Sequence, residues 1–485
     1  MNKIEQKRIK SDIHPSAGLS LPLCFVLCVF TCTFFVYRDF GIRMIYGFAI
    51  LGVLLIANIV RRMMKKRPPV MTNFKTAAVM LCAVIVFFFL LPYSNRDSDN
   101  LSMIISMLIC TVFIVLSDSH ENVGRSIDLL KITGICMAGF VLFFTVFEEL
   151  FWKTLGPLLS ETARQYLRYY VPRGYGITLG GCTFTDYILV VGMGAISTQL
   201  LFEHTSMWKR VVQWLSLVVC AAAVICVGRK GEVLALFATV VILLLVIATP
   251  EQRKKRGIIL AAAVIFAVVA VIALLPVLRN ITSLKRYVQM IDNLFAGKDI
   301  SSGRLELYEL AWDLFLDHPL FGVGWGQFAQ SIPDEFRLIH NGGGVQTLKD
   351  VHCIYLQFLC ESGLIGFLCV MVPICYCYIQ TLKQMLRLQK QQTQFPQQKD
   401  CRNLNYISFG IQTFIFGIGF IDPSFQKVQF WCFYGIALIM ENNALQLENA
   451  SVDGKIERAL SSVTLPIQKI TNRVFCRKNK NDEQN

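Results

Sequence analysis

Five residues of the chain have side chains and neighbours suited to binding an anionic substrate and reacting with it. Arg229 and Lys230 lie in a short polar connection between two apolar segments, and Arg304 opens an amphipathic stretch. His352 lies two residues after Asp350, just before another apolar segment. A guanidinium matches phosphate oxygens in a bidentate way, and a neutral imidazole can accept a proton. These residues therefore indicate a site for an anion such as a diphosphate, with a candidate general base beside it.

The length of the flanking segments places the connection that carries Arg229 and Lys230. Taken as helices, these segments each span roughly 25 Å, slightly less than a hydrocarbon core. We expect the connection at or just below the outer membrane surface, where charges are costly unless paired or facing an aqueous cavity. The alternative is that these charged side chains pair locally with Glu232 and extend to the lipid headgroups. For Lys230 this alternative and anion binding are equally well supported. For Arg229 we favour anion binding, because Gly228 and Gly231 leave room for a bulky anion.

Arg304 begins the stretch R-L-E-L-Y-E-L-A-W-D-L-F, whose apolar residues recur at helical spacing. We predict a helix starting there, with Leu307 and Ala311 on its apolar face and Glu306 and Glu309 on its solvated face. The exposed N–H groups of a helix N-terminus favour anions, as the guanidinium does. A surface salt bridge to either glutamate is the alternative for this arginine taken alone.

His352 is predicted to begin the helix that re-enters the membrane. A helix N-terminus disfavours the imidazolium and so helps to keep the ring neutral, whereas Asp350 acts the opposite way and can orient the ring. A purely interfacial histidine is the alternative at such a boundary.

Upstream, the glycine-rich run from His318 to Gly326 lacks the strand context of a dinucleotide fingerprint. We predict that it forms a tight turn packed on the membrane face.

The composition indicates a polytopic membrane protein. The chain has 485 residues, of which 54% are hydrophobic and 16% charged, and its mean hydropathy is +0.51. The net charge of +14 falls in short clusters between apolar segments, which is typical of cytoplasmic loops and argues against nucleic acid. No Cys-x-x-Cys pair and no His, Asp and Cys cluster has metal-ligand spacing, so we expect neither a metal nor a cofactor.

The fold class predicted from these segments is an all-α membrane helical bundle of about twelve transmembrane helices with a large helical outer loop. Basic clusters such as R-R-M-M-K-K-R after the second span place the N-terminus, 1–19, in the cytoplasm. The outer loop is expected at 279–352 and a cytoplasmic tail at 442–485. The transmembrane domain, 20–441, has spans near 20–37, 44–60, 74–93, 101–116, 129–147, 180–202, 211–227, 233–249, 257–278, 353–379, 404–421 and 427–441.

Three motifs carry a family resemblance. The run H-C-I-Y-L-Q-F-L-C-E-S-G-L-I-G from His352 resembles the signature of the O-antigen ligase and polysaccharide polymerase family of bacterial membrane glycosyltransferases: His-Asn, an aromatic-Leu pair, then Glu-x-Gly-x-x-Gly. The segment from Gly303 to Gly326 resembles that family's Arg followed by His-Pro-x-x-Gly-x-Gly, and G-R-K-G resembles its Ser-Arg-Gly element. The chain departs from the pattern at two positions, where Cys353 replaces the Asn and Lys230 follows the Arg.

The resemblance implies a GT-C-like fold and a metal-independent glycosyltransferase in the bacterial inner membrane. Such an enzyme transfers an undecaprenyl-diphosphate-linked glycan to an acceptor hydroxyl at the outer face, for lipopolysaccharide or capsule biosynthesis. The acceptor is left open between lipid A core, another lipid-linked glycan repeat and a protein. The resemblance implies that His352 is the catalytic histidine and that Arg229 and Arg304 are catalytic residues that bind the diphosphate. Further substrate-binding candidates are Arg173, Lys230, Asp350 and Glu361.

Two other classes of function remain as alternatives. A flippase or transporter for a lipid-linked oligosaccharide would need ionisable residues along a path through the membrane, whereas the predicted spans are nearly free of them and the charge collects at one face. A degenerate enzyme that only binds its ligand is the other alternative, because Cys353 is atypical.

Overall fold

A computed structural model describes the chain over residues 123–178, 181–202, 206–247, 284–301, 303–341, 345–348, 350–390, 396–422 and 433–445, with isolated positions elsewhere. The spans predicted near 20–37, 44–60, 74–93, 101–116 and 257–278 lie outside these continuous ranges, as does most of the predicted tail.

The first part of the described chain is a series of helices joined by short connections. These helices are α1 (Val123–Val146), α2 (Glu148–Thr154), α3 (Glu161–Tyr170), α4 (Cys182–Phe202), α5 (Met207–Val227) and α6 (Lys230–Ile247). Short 3₁₀ turns at Gly156–Leu158 and Val171–Arg173 flank α3.

The second part contains the predicted outer loop and the helices that follow it. Its helices are α7 (Lys285–Phe295), α8 (Arg304–Asp317), α9 (Phe328–Ser331), α10 (Asp334–Arg337), α11 (Ile354–Lys390), α12 (Pro396–Ile418) and α13 (433–445). An antiparallel hairpin, which the sequence analysis did not predict, joins β1 (Leu338–Asn341) to β2 (Val345–Leu348), with Leu338 opposite Leu348.

Within the described residues, five helices are long and apolar enough to cross a membrane. These segments are Ile127–Val146, Cys182–Leu201, Met207–Val227, Lys230–Ile247 and Ile354–Leu388. The prediction of a helical, multi-pass membrane protein is therefore confirmed. The segment predicted near 404–421 forms α12, which is long enough but less apolar, because it contributes several buried polar side chains to the protein interior.

Helix α4 is central to the bundle and packs against α1, α5 and α12. Its crossing with α1 is close, since a Cβ placed on Gly134 would lie 2.7 Å from the Cα of Gly192. Small residues at such crossings let two helix backbones approach, which is how helices gain packing energy within a bilayer.

The amphipathic helix α8 lies on α11, and the sequence prediction for it is confirmed. It begins at Arg304, Leu307 and Ala311 are buried, and Glu306 and Glu309 are exposed. This packing holds the N-terminus of α8 close to the start of α11, where His352 lies.

The glycine-rich run forms the predicted tight turn, and it packs on a break in α11 at Gly363, where φ is 64° and ψ is −174°. The freed backbone groups exchange hydrogen bonds with the turn: Leu364 N–H donates to Pro319 O at 2.8 Å, and Gly324 N–H donates to Glu361 O at 2.8 Å. A Cβ at Gly322 or Gly363 would overlap the facing backbone, so this contact requires glycine on both sides.

Candidate functional site

The turn that follows α12, residues 419–422, joins three other helices at one point. The N–H of Ile354, at the start of α11, donates to Gly419 O at 2.8 Å. The hydroxyl of Tyr308, on α8, donates to Phe420 O at 3.0 Å. The carboxylate of Asp422 accepts a hydrogen bond from Arg229, at the start of α6. We call this segment the 419–422 turn; it brings together the elements that carry the predicted site residues.

The Arg229 guanidinium is enclosed by protein partners. Its Nε lies 2.6 Å from Glu232 Oε1, and its two terminal nitrogens donate to Asp422 and to Thr183 on α4. The arginine side chain is 17% exposed, whereas those of Glu232 and Asp422 are 3% and 2% exposed. The local pair considered from the sequence is therefore present, and two more partners complete a ring that we call the Arg229 cradle.

A third carboxylate makes the surroundings of Arg229 acidic. Asp186 is fully buried, and within the described residues neither of its oxygens has a hydrogen-bond partner. It interacts electrostatically with Glu232, Arg229 and Asp422. Burial acts to lower the pKa of Arg229, but the Glu232 and Asp422 carboxylates outweigh this and raise it. The arginine is thus a permanent counter-ion for buried acids, and these acids would repel an anion approaching it.

A second group of cations lies beside the cradle and is differently surrounded. Lys230, Arg286 and Arg304 are each half-buried, and Lys230 interacts electrostatically with both arginines. We call these three residues the cation cluster. Because like charges in proximity repel one another, such a group is best compensated by a bound anion.

Arg286 is fixed by one contact to the end of α5 and by another to the segment before α4. Its Nη1 donates to Gly228 O at 2.9 Å, and its guanidinium carbon lies 3.8 Å from the centre of the Tyr175 ring. The neighbouring Tyr287 hydroxyl donates to Ile225 O at 3.1 Å. These contacts hold α7 against the connection that carries Lys230, so that residues far apart in sequence share one face.

Arg304 takes the first position of α8, as predicted. Gly303 precedes it in the left-handed region with φ of 76°. The Asp299 carboxylate accepts hydrogen bonds from Ser301 N–H at 2.6 Å and Gly303 N–H at 2.7 Å. This acid organises the loop before the helix and lies within electrostatic range of Lys230.

His352 has a left-handed backbone with φ of 59°, unlike every other non-glycine residue that the structure describes. Its carbonyl accepts a hydrogen bond from the Tyr308 hydroxyl at 3.3 Å. Burial raises the pKa of Tyr308 and nearby Arg304 lowers it, so Tyr308 links the cation cluster to His352. Strained backbones of this kind persist where surrounding contacts hold them, and they concentrate at functional sites.

Cys353 occupies the N-cap position of α11. Burial raises the pKa of its thiol, and backbone hydrogen bonds from Leu356 and Tyr355 lower it. The sulfur thus accepts from the free N–H groups of the first helical turn, the task that an Asn oxygen performs well at an N-cap. The departure from the family pattern at this position therefore preserves the cap beside His352.

The other candidate residues lie in different settings. Arg173 is exposed; its Nη1 donates to Tyr169 O at 2.7 Å and its guanidinium stacks on that residue's ring. Glu361 is buried, and its Oε1 accepts from Phe328 N–H at 3.3 Å, so it anchors the glycine-rich turn. Asp350 is half-buried and interacts electrostatically with Glu361. Lys230 is thus within electrostatic range of Arg304, and Arg304 is within range of Tyr308, whose hydroxyl bonds to His352 O. Arg173 and Glu361 have other partners, Tyr169 and the glycine-rich turn.

Sequence reasoning missed Arg286, Tyr308, Thr183 and Asp422. A signal for the last was present, because Asp422 follows a long apolar run, F-I-F-G-I-G-F-I, and an acid in such a run requires a buried partner. The partner itself could not be read from the pattern.

Residues 215–371 match the family model described as O-antigen ligase. The chain carries an O-antigen ligase domain. This match confirms, over residues 215–371, the resemblance read from the motifs. No curated protein matches the chain at a significant level. The O-antigen ligase domain includes Arg229, the cation cluster and His352, whereas Thr183 and the 419–422 turn lie outside its bounds.

Proposed function

We propose that the protein transfers a glycan from undecaprenyl diphosphate to an acceptor hydroxyl at the outer face of the bacterial inner membrane, without a metal. It would act as an O-antigen ligase or as a polysaccharide polymerase. The observation that carries the proposal is the cation cluster linked through Tyr308 to His352, within a domain that matches the O-antigen ligase family.

The cation cluster is the proposed binding site for the donor diphosphate. Two guanidinium groups and an ammonium can neutralise its charge, and a guanidinium can bind two phosphate oxygens at once. Charge grows on the leaving diphosphate as the glycosidic bond breaks, so fixed cations stabilise the transition state more than the ground state. The exposed N–H groups at the start of α8, next to Arg304, add to this effect.

His352 is the proposed general base. The acceptor oxygen forms a bond to the anomeric carbon, the bond from that carbon to the diphosphate oxygen breaks, and the acceptor's proton passes to the imidazole. The diphosphate leaves with the electron pair of the broken bond. Tyr308 binds the His352 carbonyl and the Cys353 cap holds the next residue, so both contacts fix the backbone that carries the imidazole.

Arg229 remains a candidate for contact with the donor, as the family resemblance implies. The cradle supports a different role, in which Arg229 holds α4, α6 and the 419–422 turn together and presents Lys230, the next residue, to the donor. In that role Arg229 is a positioning residue.

The decisive experiment is a turnover assay in membranes with a lipid-diphosphate glycan and an acceptor, alongside a separate donor-binding measurement. We expect His352→Ala to lower turnover by about 10²–10⁴-fold, the usual contribution of a general base, and to leave donor binding intact. His352→Gln keeps a hydrogen bond but cannot accept the proton, so it should be as slow as the alanine variant. Near-full turnover of the glutamine variant would show that His352 only orients the acceptor.

A further inference from the structure

A buried polar seam lies among α11, α12 and α13, away from the candidate site. Gln412 Nε2 donates to Thr381 Oγ1 at 2.9 Å and to Ser408 Oγ at 3.1 Å. The Ser408 hydroxyl in turn donates to Ala437 O at 2.7 Å. Glu441, on α13, lies within hydrogen-bonding distance of both Thr381 and Gln412. The seam thus joins one carboxylate to hydroxyl and amide groups in the protein interior.

The same seam continues one to two turns toward the start of α12. Asn405 Nδ2 donates to Gln384 Oε1 at 2.6 Å, and Cys401 Sγ donates to Ala444 O at 3.0 Å. These polar groups lie along one side of α12, facing α11 and α13, so the three helices enclose them together.

The seam contains buried acceptor atoms without a partner. Three of its side-chain oxygens have no hydrogen-bond partner within the described residues, and all belong to side chains that are at most 5% exposed. These atoms are Asn405 Oδ1, Gln412 Oε1 and Glu441 Oε2. Buried polar atoms without a partner are rare in native proteins, and each needs an explanation. Because all three are oxygens, the missing partner is a positive charge or a hydrogen-bond donor.

The charge of Glu441 favours a positive charge. Within the described residues, the groups that act on this carboxylate are the hydroxyl of Thr381, the amide of Gln412 and, electrostatically, Tyr434 and Cys377, and no lysine or arginine is among them. A carboxylate buried among helices of a membrane protein requires a counter-charge and marks a functional site. The described residues contain no cluster of three His, Cys, Asp or Glu for a divalent metal. A single carboxylate with neutral oxygens matches a monovalent cation better.

We propose that the Glu441 carboxylate, with the Gln412 amide oxygen and the Thr381 hydroxyl, binds a monovalent cation of the sodium type inside the helical bundle. Carboxylate, amide and hydroxyl oxygens are the ligands that such hard cations prefer. Gln412 precedes Gly419 by two turns of α12, roughly 10 Å along the helix. The bound cation would therefore stabilise the helix that supports the 419–422 turn. This proposal is independent of the transferase function.

The test uses the full-length protein in detergent. Its thermal melting is followed while sodium chloride replaces N-methylglucamine chloride at constant ionic strength, and sodium binding is measured directly by equilibrium dialysis. A ligand that binds only the folded state raises the melting temperature as its concentration rises. We expect this rise in the unaltered protein, with one saturable class of sodium sites.

Glu441→Gln keeps the shape and most of the hydrogen bonds but removes the charge, so its melting temperature should not respond to sodium. The matched control is Glu309→Gln, an exposed site that should keep the full response. Absence of saturable sodium binding by the unaltered protein would overturn the proposal and leave buried water as the occupant. That measurement needs no variant, so it stands even if Glu441→Gln does not fold. A sodium response retained by Glu441→Gln would also overturn it.

Discussion

Arg229 and Arg304 follow the same local pattern and have opposite surroundings. Each comes directly after a glycine in the left-handed region, with φ of 85° at Gly228 and 76° at Gly303, and each lies at the start of a helix. Arg229 is held by acids and a hydroxyl, whereas Arg304 lies near Lys230, on which Arg286 also acts electrostatically. The same glycine–arginine pair at a helix start therefore yields one arginine paired with carboxylates and one that lies among other cations.

The difference teaches that the chemistry of these arginines depends on distant segments. Thr183 and Asp422 are 46 and 193 residues away from Arg229 in the sequence. Where distant segments supply carboxylates, the arginine stabilises the fold. Where distant segments supply other cations, as in the cation cluster, the positive charges need an anion, and we expect a substrate-binding site. Four experiments test this contrast, in order of decreasing effect.

Arg229→Ala should have the largest effect, on stability. Removing one partner of a buried ion pair costs about 3–5 kcal/mol, because the remaining charge is left uncompensated. The check is thermal melting in detergent, with a double-mutant cycle against Asp422→Asn to isolate their coupling. An unchanged melting temperature together with lost donor binding would break the contrast and assign Arg229 to the diphosphate.

Arg304→Ala should instead weaken donor binding while the melting temperature stays near that of the unaltered protein. A charge-assisted hydrogen bond contributes about 1.5–3 kcal/mol, which corresponds to roughly tenfold to a hundredfold in affinity. Arg304→Lys should recover part of this, because an ammonium lacks the bidentate geometry. Lys230→Ala should behave in the same way, whereas Arg286→Ala should weaken donor binding and also lower the melting temperature, because Arg286 anchors α7 to Gly228 and Tyr175. Unaltered affinity in all three alanine variants would exclude the cation cluster as the donor site.

The two glycines sharpen the contrast at the level of the backbone. A Cβ at Gly228 would lie 2.6 Å from Gly174 O, whereas at Gly303 nothing lies within 4 Å. Gly303→Ala should therefore cost only the left-handed strain, about 1–2 kcal/mol, and Gly228→Ala should cost clearly more. Equal losses in thermal melting would mean that close packing around Gly228 contributes little to the cradle.

Arg173→Ala should have the smallest effect. Exposed side chains with only local contacts usually change stability by no more than about 0.5 kcal/mol. Within the described residues, the polar and ring contacts of the Arg173 side chain are with Tyr169. Donor affinity should stay unchanged as well. A clear loss of donor affinity in this variant would extend the donor site to the segment before α4.

Much of the bundle could be read from apolar segments and helix-start signals. The segments predicted near 180–202 and 211–227 correspond to α4 and α5, and the amphipathic helix starts at Arg304 as predicted. These features depend on local composition and periodicity. The break at Gly363 was not predicted, because it becomes favourable only when the glycine-rich turn supplies hydrogen bonds to the interrupted helix.

The site was only partly predictable for the same reason. Arg304 and His352 carry local signals, a helix start and a membrane boundary, and contacts through Tyr308 join them. Arg286 and Asp422 gain their roles only when α7 and the 419–422 turn dock on the connection between α5 and α6. A pattern along one segment cannot specify which distant segment will dock there.

The distance of 193 residues between Arg229 and Asp422 has a consequence for biosynthesis. At about 5–20 residues per second, the ribosome needs roughly 10–40 s to reach the aspartate after it has made the arginine. During that interval Arg229 is already at the membrane with Glu232 as its nearby acid, and the chain has not yet produced the aspartate that completes its shell. We expect the nascent protein to stay sensitive to proteolysis, or dependent on a membrane chaperone, until the end of α12 emerges.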